Sequence, residues 1–277
     1  MIKQLTARFG RPMTLVVLLL LWFWLIVLVL LPQLIMIDYS FKPNLIPSQL
    51  GGPEDVYTLG NYQTLIGNDI HRTIFFKTIW SSILVTVLTL LVSYPVAYFL
   101  AQLATAKQVM LIALLLVIPY WINEILRTFS WYLILSFQGP LNALLLGLGL
   151  IDRPVRFLTG DGGVLIGMVY ANQVRAARNL GAGLLRIHWR IVIPHAKPGI
   201  ATGCIMVFML AAGSYAVPAL LGSPGSRWFT QIIYNWFFEG GDWNMGAAYA
   251  FVLLILCIGF IAAVMKVFRI GLGDIGK

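Results

Sequence analysis

Residues 13–37, MTLVVLLLLWFWLIVLVLLPQLIMI, run for 25 positions without a charged side chain. A helix of about 20 apolar residues crosses the roughly 30 Å hydrocarbon core of a bilayer, and so continuous a run has no apolar core in a small soluble domain large enough to hide it. Further apolar runs cover 78–103, 109–137, 199–221 and 245–268. They are continuous rather than alternating, which excludes a transmembrane β-barrel. The expected class is an all-α, polytopic membrane protein with about six transmembrane helices. Composition agrees: 10% of the 277 residues are charged and 60% hydrophobic, whereas soluble domains carry roughly a quarter charged residues.

The opening MIKQLTARFGRPM is basic and lacks a small-residue cleavage signal, so the first run is expected to remain as a span. Pro32 is expected to bend or end it. An outer loop is expected over 38–77, where Pro43, Pro47, Gly51, Gly52 and Pro53 are turn signals. Pro95 and Pro119 fall inside the second and third runs and are candidate kinks. LNALLLGLGLID, 141–152, is too short to cross and suits the membrane interface. Cys204 and Cys257 both lie in apolar runs and read as small core residues.

Charge orients the chain, because lysine and arginine concentrate in cytoplasmic loops. Lys3, Arg8, Arg11, Lys107, Lys266, Arg269 and Lys277 mark one side, joined by Arg175, Arg178, Arg186, Arg190 and Lys197. Asp38, Glu54, Asp55, Asp69, Asp152, Asp161, Glu239 and Asp242 mark the other. Both termini are therefore expected in the cytoplasm. The net charge of +9 follows from this asymmetry and calls for no nucleic acid. Between Asp161 and Arg175 stands little more than GGVLIGMVYANQV. As a helix it reaches about 20 Å, short of the hydrocarbon core, so the fourth span looks truncated. An internal deletion or unrepresented segment is expected near 171–175.

The basic stretch RAARNLGAGLLRIHWRIVIPHAKPGI, 175–200, interrupts this apolar chain. Residues 175–180 favour a helix, Gly181 and Gly183 break it, and 184–193 suit a second one ending at Pro194. Leu184, Leu185, Ile187 and Ile191 interleave with Arg186, His188 and Arg190, as in a short amphipathic helix at a membrane face. Ordinary positive loops satisfy the orientation rule equally well; the spacing distinguishes them. Ala176, Ala177 and Gly181, followed by Ile191, Ile193 and Pro194, resemble the EAA loop of bacterial ABC importer permeases. Arg175 departs from the glutamate usual at the first position of that motif.

YTLGNYQTLI, SYPVAYFLA, IPYWINEILRTFSWYLIL, GPLNALLLGLGLID, GVLIGMVY and PGIATGCIMVF resemble spermidine/putrescine-type permeases, in the block order of the first of two permeases. The resemblance covers about 13–268. It implies a type I importer permease fold and one transmembrane domain over 1–277, with a coupling loop at about 173–198. It implies as partners a second permease, a dimer of ATP-binding ABC ATPases, an extracytoplasmic substrate-binding protein and membrane lipid. Ala176, Ala177, Gly181, Ala182, Leu184, Leu185, Ile187, Ile191 and Pro194 would then meet the ATPase. The implied cargo is a polyamine. Sulfate, phosphonate, iron or an opine are alternative cargoes, and an autonomous channel or secondary carrier is a rival of another class.

Nothing in the chain looks catalytic: no phosphate-binding loop GxxxxGK[ST], no HExxH and no GxSxG occurs. His71, His188 and His195 lack the cysteine or carboxylate neighbours of a metal site, and no cofactor is expected. A charge inside a span usually faces protein or a water-filled path. Glu124 and Arg127 are spaced i, i+3 in the third run, consistent with an ion pair. Alternatively Glu124, with Tyr120, Trp121, Asn123 and Trp131, lines a cation path, carboxylates and aromatic faces both attracting ammonium groups. Ser214 and Tyr215 interrupt the fifth run and either face that path or serve a neighbouring helix. EGGDWN, 239–244, reads as a solvated turn, or as a surface for the binding protein.

Overall fold

The computed structural model describes residues 2–49, 51–100, 104–158, 193–223 and 225–271. The described residues are helical, without strands. Among the described residues, four helices are long and apolar enough to cross a membrane: Pro12–Ser40, Asp69–Ala97, Glu124–Gly147 and Trp243–Phe268. A shorter apolar helix spans Lys197–Ala212. The truncated fourth span and the junction near 171–175 lie outside the described residues.

In order, the helices are α1 (Ile2–Trp24), α2 (Leu31–Ser40), α3 (Gly60–Gly67), α4 (Asp69–Tyr98), α5 (Ala106–Trp121) and α6 (Glu124–Leu135). They continue with α7 (Pro140–Gly147), α8 (Ile193–Ala212), α9 (Ala216–Leu221), α10 (Phe229–Tyr234) and α11 (Trp243–Phe268). Backbone contacts group them into two compact units. One holds residues 1–67 and 235–252, the other 68–234 and 253–277.

In the first unit, Gly10 adopts φ 78° and ψ 163°, so α1 is two helical pieces with the membrane-length run beginning at Pro12. Pro32 does not end that run. A π-helical turn over Leu25–Leu30 leads into α2, which carries Pro32 in its first turn. Widening the preceding turn accommodates a residue that lacks an N–H and crowds the carbonyl four positions back. Beyond α2 the chain is stitched back onto the helix end. Asn61 Nδ2 donates to the Ser40 and Lys42 carbonyls at 3.0 and 2.9 Å, and the Tyr62 hydroxyl donates to Ser40 Oγ at 2.7 Å.

The expected loop over 38–77 is therefore shorter than its composition suggested. Helix α3 occupies 60–67, and α4 starts at Asp69, nine residues before the expected second span. Asn68 causes the early start: its Oδ1 accepts the N–H groups of Ile70 and His71 at 3.0 and 3.2 Å, a strong N-cap. The turn EGGDWN opens α11. Gly240 donates to the Asn235 carbonyl at 2.7 Å, Gly241 has φ 65°, and Asp242 Oδ1 accepts the Met245 N–H at 2.8 Å.

The second unit is centred on α4, against which α8 and α10 pack, while α7 and α9 pack on α6. Its core joins Val85, Val207, Ala211, Val217, Leu221 and Trp228, with Trp131 and Leu158 against them. Two runs expected to be continuous are broken. The third divides at Ile122–Asn123, because Asn123 Oδ1 caps α6 by accepting the Ile125 N–H at 2.8 Å. The fifth divides at 213–215, between α8 and α9. Upstream, Thr105 and Gln108 form a reciprocal capping box at the start of α5.

Candidate functional site

Most of the expected coupling segment lies outside the described residues: Ala176, Ala177, Gly181, Ala182, Leu184, Leu185, Ile187 and Ile191. Pro194 falls within the described part of α8, Ile193–Ala212.

The candidate path residues sit around the two helix breaks. Tyr120 and Trp121 end α5, and Trp121 is 83% exposed, so its ring is no part of this chain's core. Asn123 and Glu124 form the N-cap and first turn of α6. Arg127, one turn on, is buried at 8% exposure. Elsewhere Lys42 pairs with Asp38 and Arg72 with Asp69. Trp131 turns inward against the core of the second unit, a packing role that its sequence position does not separate from a path role.

Tyr215 sits at the second break. Its ring stacks on that of Tyr234, with centroids 4.5 Å apart and planes at 27°. Thr230 Oγ1 donates to the Ser214 carbonyl at 2.7 Å, filling an acceptor that the interrupted helix leaves open. Because α9 packs along α6, Tyr215 and the Glu124 turn belong to neighbouring elements of one unit. Tyr234 was not anticipated; nothing in local spacing links it to Tyr215.

A second constellation, in the first unit, was also missed. Lys42 Nζ lies 2.8 Å from Asp38 Oδ2 and 5.4 Å from the centre of the Tyr57 ring, whose hydroxyl donates to Asp38 Oδ1 at 2.8 Å. The bond to Asp38 raises the pKa of Lys42 above the ordinary lysine value and that of Tyr57 above the ordinary tyrosine value. Burial raises Tyr62 despite its bond to Ser40. Beside this network lies a cleft of about 300 Å³ lined by Tyr39, Lys42, Asp55, Trp243 and Asn244, among others. The i, i+4 spacing of Asp38 and Lys42 was a usable signal; Tyr57 carried none.

These features define a multi-pass transport protein whose polar groups gather at helix breaks, a recurrent arrangement where solutes cross membranes. No family model matches the chain. It superposes with TM-score 0.70 on a chain of a bacterial alginate ABC transporter, solved in complex with an alginate pentasaccharide-bound periplasmic protein. That match covers 97% of this chain and 100% of the other at 16% identity, and identifies the fold as that of an ABC importer permease.

The chain is 32% identical over 251 residues to the spermidine/putrescine transport system permease protein PotB of Escherichia coli (strain K12), covering 84% of this chain and 90% of the relative. It is 26% identical over 238 residues to the inner membrane ABC transporter permease protein YdcU of the same organism, covering 76% and 75%. The chain belongs to the PotB family of ABC transporter permeases and is a transport subunit, not an enzyme. The 251 aligned positions exceed 84% of a 277-residue chain, so PotB carries residues opposite which this chain has none.

Proposed function

We propose that this permease moves polyamines inward through a bacterial inner membrane, as one transmembrane domain with both termini in the cytoplasm. The observation that carries the cargo is the match to a spermidine/putrescine permease over 90% of that relative's length. Glu124 and Tyr215, on adjoining elements of the second unit, supply a carboxylate and an aromatic face, the groups that suit alkylammonium chains. Tyr120, Trp121, Asn123 and Trp131 complete the proposed path. Radiolabelled spermidine should enter cells carrying the complete importer and should be displaced by putrescine. Uptake of sulfate or a phosphonate with no polyamine uptake would overturn the cargo.

The partners are a second permease, a pair of ABC ATPases and an extracytoplasmic binding protein. The segment 175–194 is the lever on which the ATPases act, ATP-driven closure switching access from one side to the other. Gly181→Trp should uncouple ATP hydrolysis from uptake in reconstituted vesicles, and unchanged coupling would count against the lever. The short run between Asp161 and Arg175 is what places a deletion or unrepresented segment near 171–175 in this reading. Cysteines introduced at Asp161 and His188 should be labelled from opposite sides of the membrane. Labelling from one side would mean that no span survives between them.

A further inference from the structure

We infer that the cleft between the end of α2 and the start of α11 is an ammonium-binding station for the amine cargo, separate from the Glu124–Tyr215 path. The inference rests on the polyamine reading and on the proposed orientation, which puts this cleft outside the cell. Three observations support it, each of a different kind.

The cleft has room: about 300 Å³ takes several methylenes and a terminal ammonium. Its walls carry matching chemistry. Asp55 spends one acceptor on the Gly51 N–H at 3.0 Å and keeps others for a ligand. Asn244 donates Nδ2 to the Tyr39 carbonyl at 3.1 Å, which leaves its Oδ1 as an acceptor. The Trp243 ring is 59% exposed, although its partner Phe237 meets it edge-on at 5.7 Å. Tyr39 is 43% exposed.

The third observation is that one wall already holds a primary ammonium. Lys42 Nζ rests between the Asp38 carboxylate at 2.8 Å and the Tyr57 ring at 5.4 Å. That cage of one carboxylate and one aromatic face is the environment a polyamine terminus needs. Asp38 pairs directly with Lys42, and Asp55, whose charge also acts on Lys42, is the carboxylate in the cleft lining, with Asp242 one residue from Trp243. An extended polyamine lays its methylenes on the Trp243 and Tyr39 rings and sets one ammonium against Asp55 and Asn244.

The test uses the importer assembled with its companion permease and ATPases in lipid nanodiscs, without a binding protein. The probe is a diazirine-bearing spermidine analogue, with labelled peptides mapped by mass spectrometry. Labelling should fall on the peptides around 39–57 and 243–244 and be competed by spermidine but not by 1,8-octanediol. Asp55→Asn and Trp243→Leu should each reduce it about fivefold or more, Asp55→Glu should retain it, and co-purification of the companion permease and ATPases should report intact assembly in all variants. Spermidine uptake by the wild-type importer is measured alongside. Uptake without competable labelling of the cleft overturns this inference alone, a result that needs no variant to fold. Absence of both uptake and labelling overturns the polyamine reading and the station together.

Discussion

Asn142 and the backbone of Val155 exchange two hydrogen bonds: the Val155 N–H donates to Asn142 Oδ1 at 2.9 Å, and Asn142 Nδ2 donates to the Val155 carbonyl at 2.8 Å. The same Nδ2 also approaches the Ser136 and Phe137 carbonyls, at 3.3 and 3.1 Å. One fully buried amide thereby clamps the turn between α6 and α7 to the chain returning past α7. Asn142→Leu keeps the volume and strips every one of these bonds, leaving buried backbone groups unsatisfied. The expected loss is about 3 kcal/mol, read as a lowered midpoint of denaturant unfolding in detergent. Asn142→Asp keeps an acceptor for Val155 but turns a buried carboxylate oxygen toward the three carbonyls, and should lose at least as much.

Thr78 and Phe229 are 151 residues apart, yet the Phe229 N–H donates to Thr78 Oγ1 at 2.9 Å inside the second unit. Phe229 is the first residue of α10, whose N–H has no intrahelical acceptor, so α4 supplies the cap from its side. Thr78→Val removes the acceptor without changing shape and should cost about 1 kcal/mol. Thr78→Ser should restore it. Equal midpoints for the valine and serine variants would mean that the bond contributes nothing.

The Asp38, Lys42 and Tyr57 network predicts a response to alkali. Both Lys42 and Tyr57 have raised pKa values in the folded chain, chiefly through hydrogen bonds to Asp38. A raised folded-state pKa means that the stabilising contribution is complete below the unfolded value and is lost as pH climbs through the folded one. The clip should therefore be unaffected at neutral pH and open only above the ordinary tyrosine and lysine ranges. Absorbance of tyrosinate against pH should show a late-titrating component that includes Tyr57 and Tyr62, and Tyr57→Phe should reduce it by one tyrosine. Asp38→Asn should move that titration back toward the ordinary range.

The sequence made the class legible because apolar run length and charge asymmetry are local quantities, summed along the chain. Residues 13–37 could only be a span, and Pro32 inside them changed the local helix type without ending the helix. The two breaks were less visible. Asn123 and the 213–215 step interrupt runs whose hydropathy alone continues, and they are met by a single cap in one case and by a donor elsewhere in the chain in the other. The same limit hid Tyr234 behind Tyr215 and Tyr57 behind Asp38, since pairs 19 residues apart leave no periodic signature. Trp131 shows the converse: an aromatic in a span is equally good core, and here it packs on Val85 and its neighbours.

Gly246, in the first turns of α11, predicts a steric dependence within the first unit. A Cβ added there would lie 2.9 Å from Cδ2 and Cε2 of Phe237, closer than a carbon contact allows. Phe237 belongs to the π-helical turn Asn235–Glu239 and meets the Trp243 ring edge-on at 5.7 Å, a contact it would have to give up to retreat. Gly246→Ala should therefore destabilise the unit by about 1–3 kcal/mol through overpacking, even though alanine favours a helix over glycine by roughly 1 kcal/mol. Phe237→Ala in the same chain removes the clashing ring and should let the helical gain of alanine emerge. A double-mutant cycle on unfolding midpoints separates the two effects. Additive losses at positions 237 and 246 would show that the ring does not limit what the glycine position accepts.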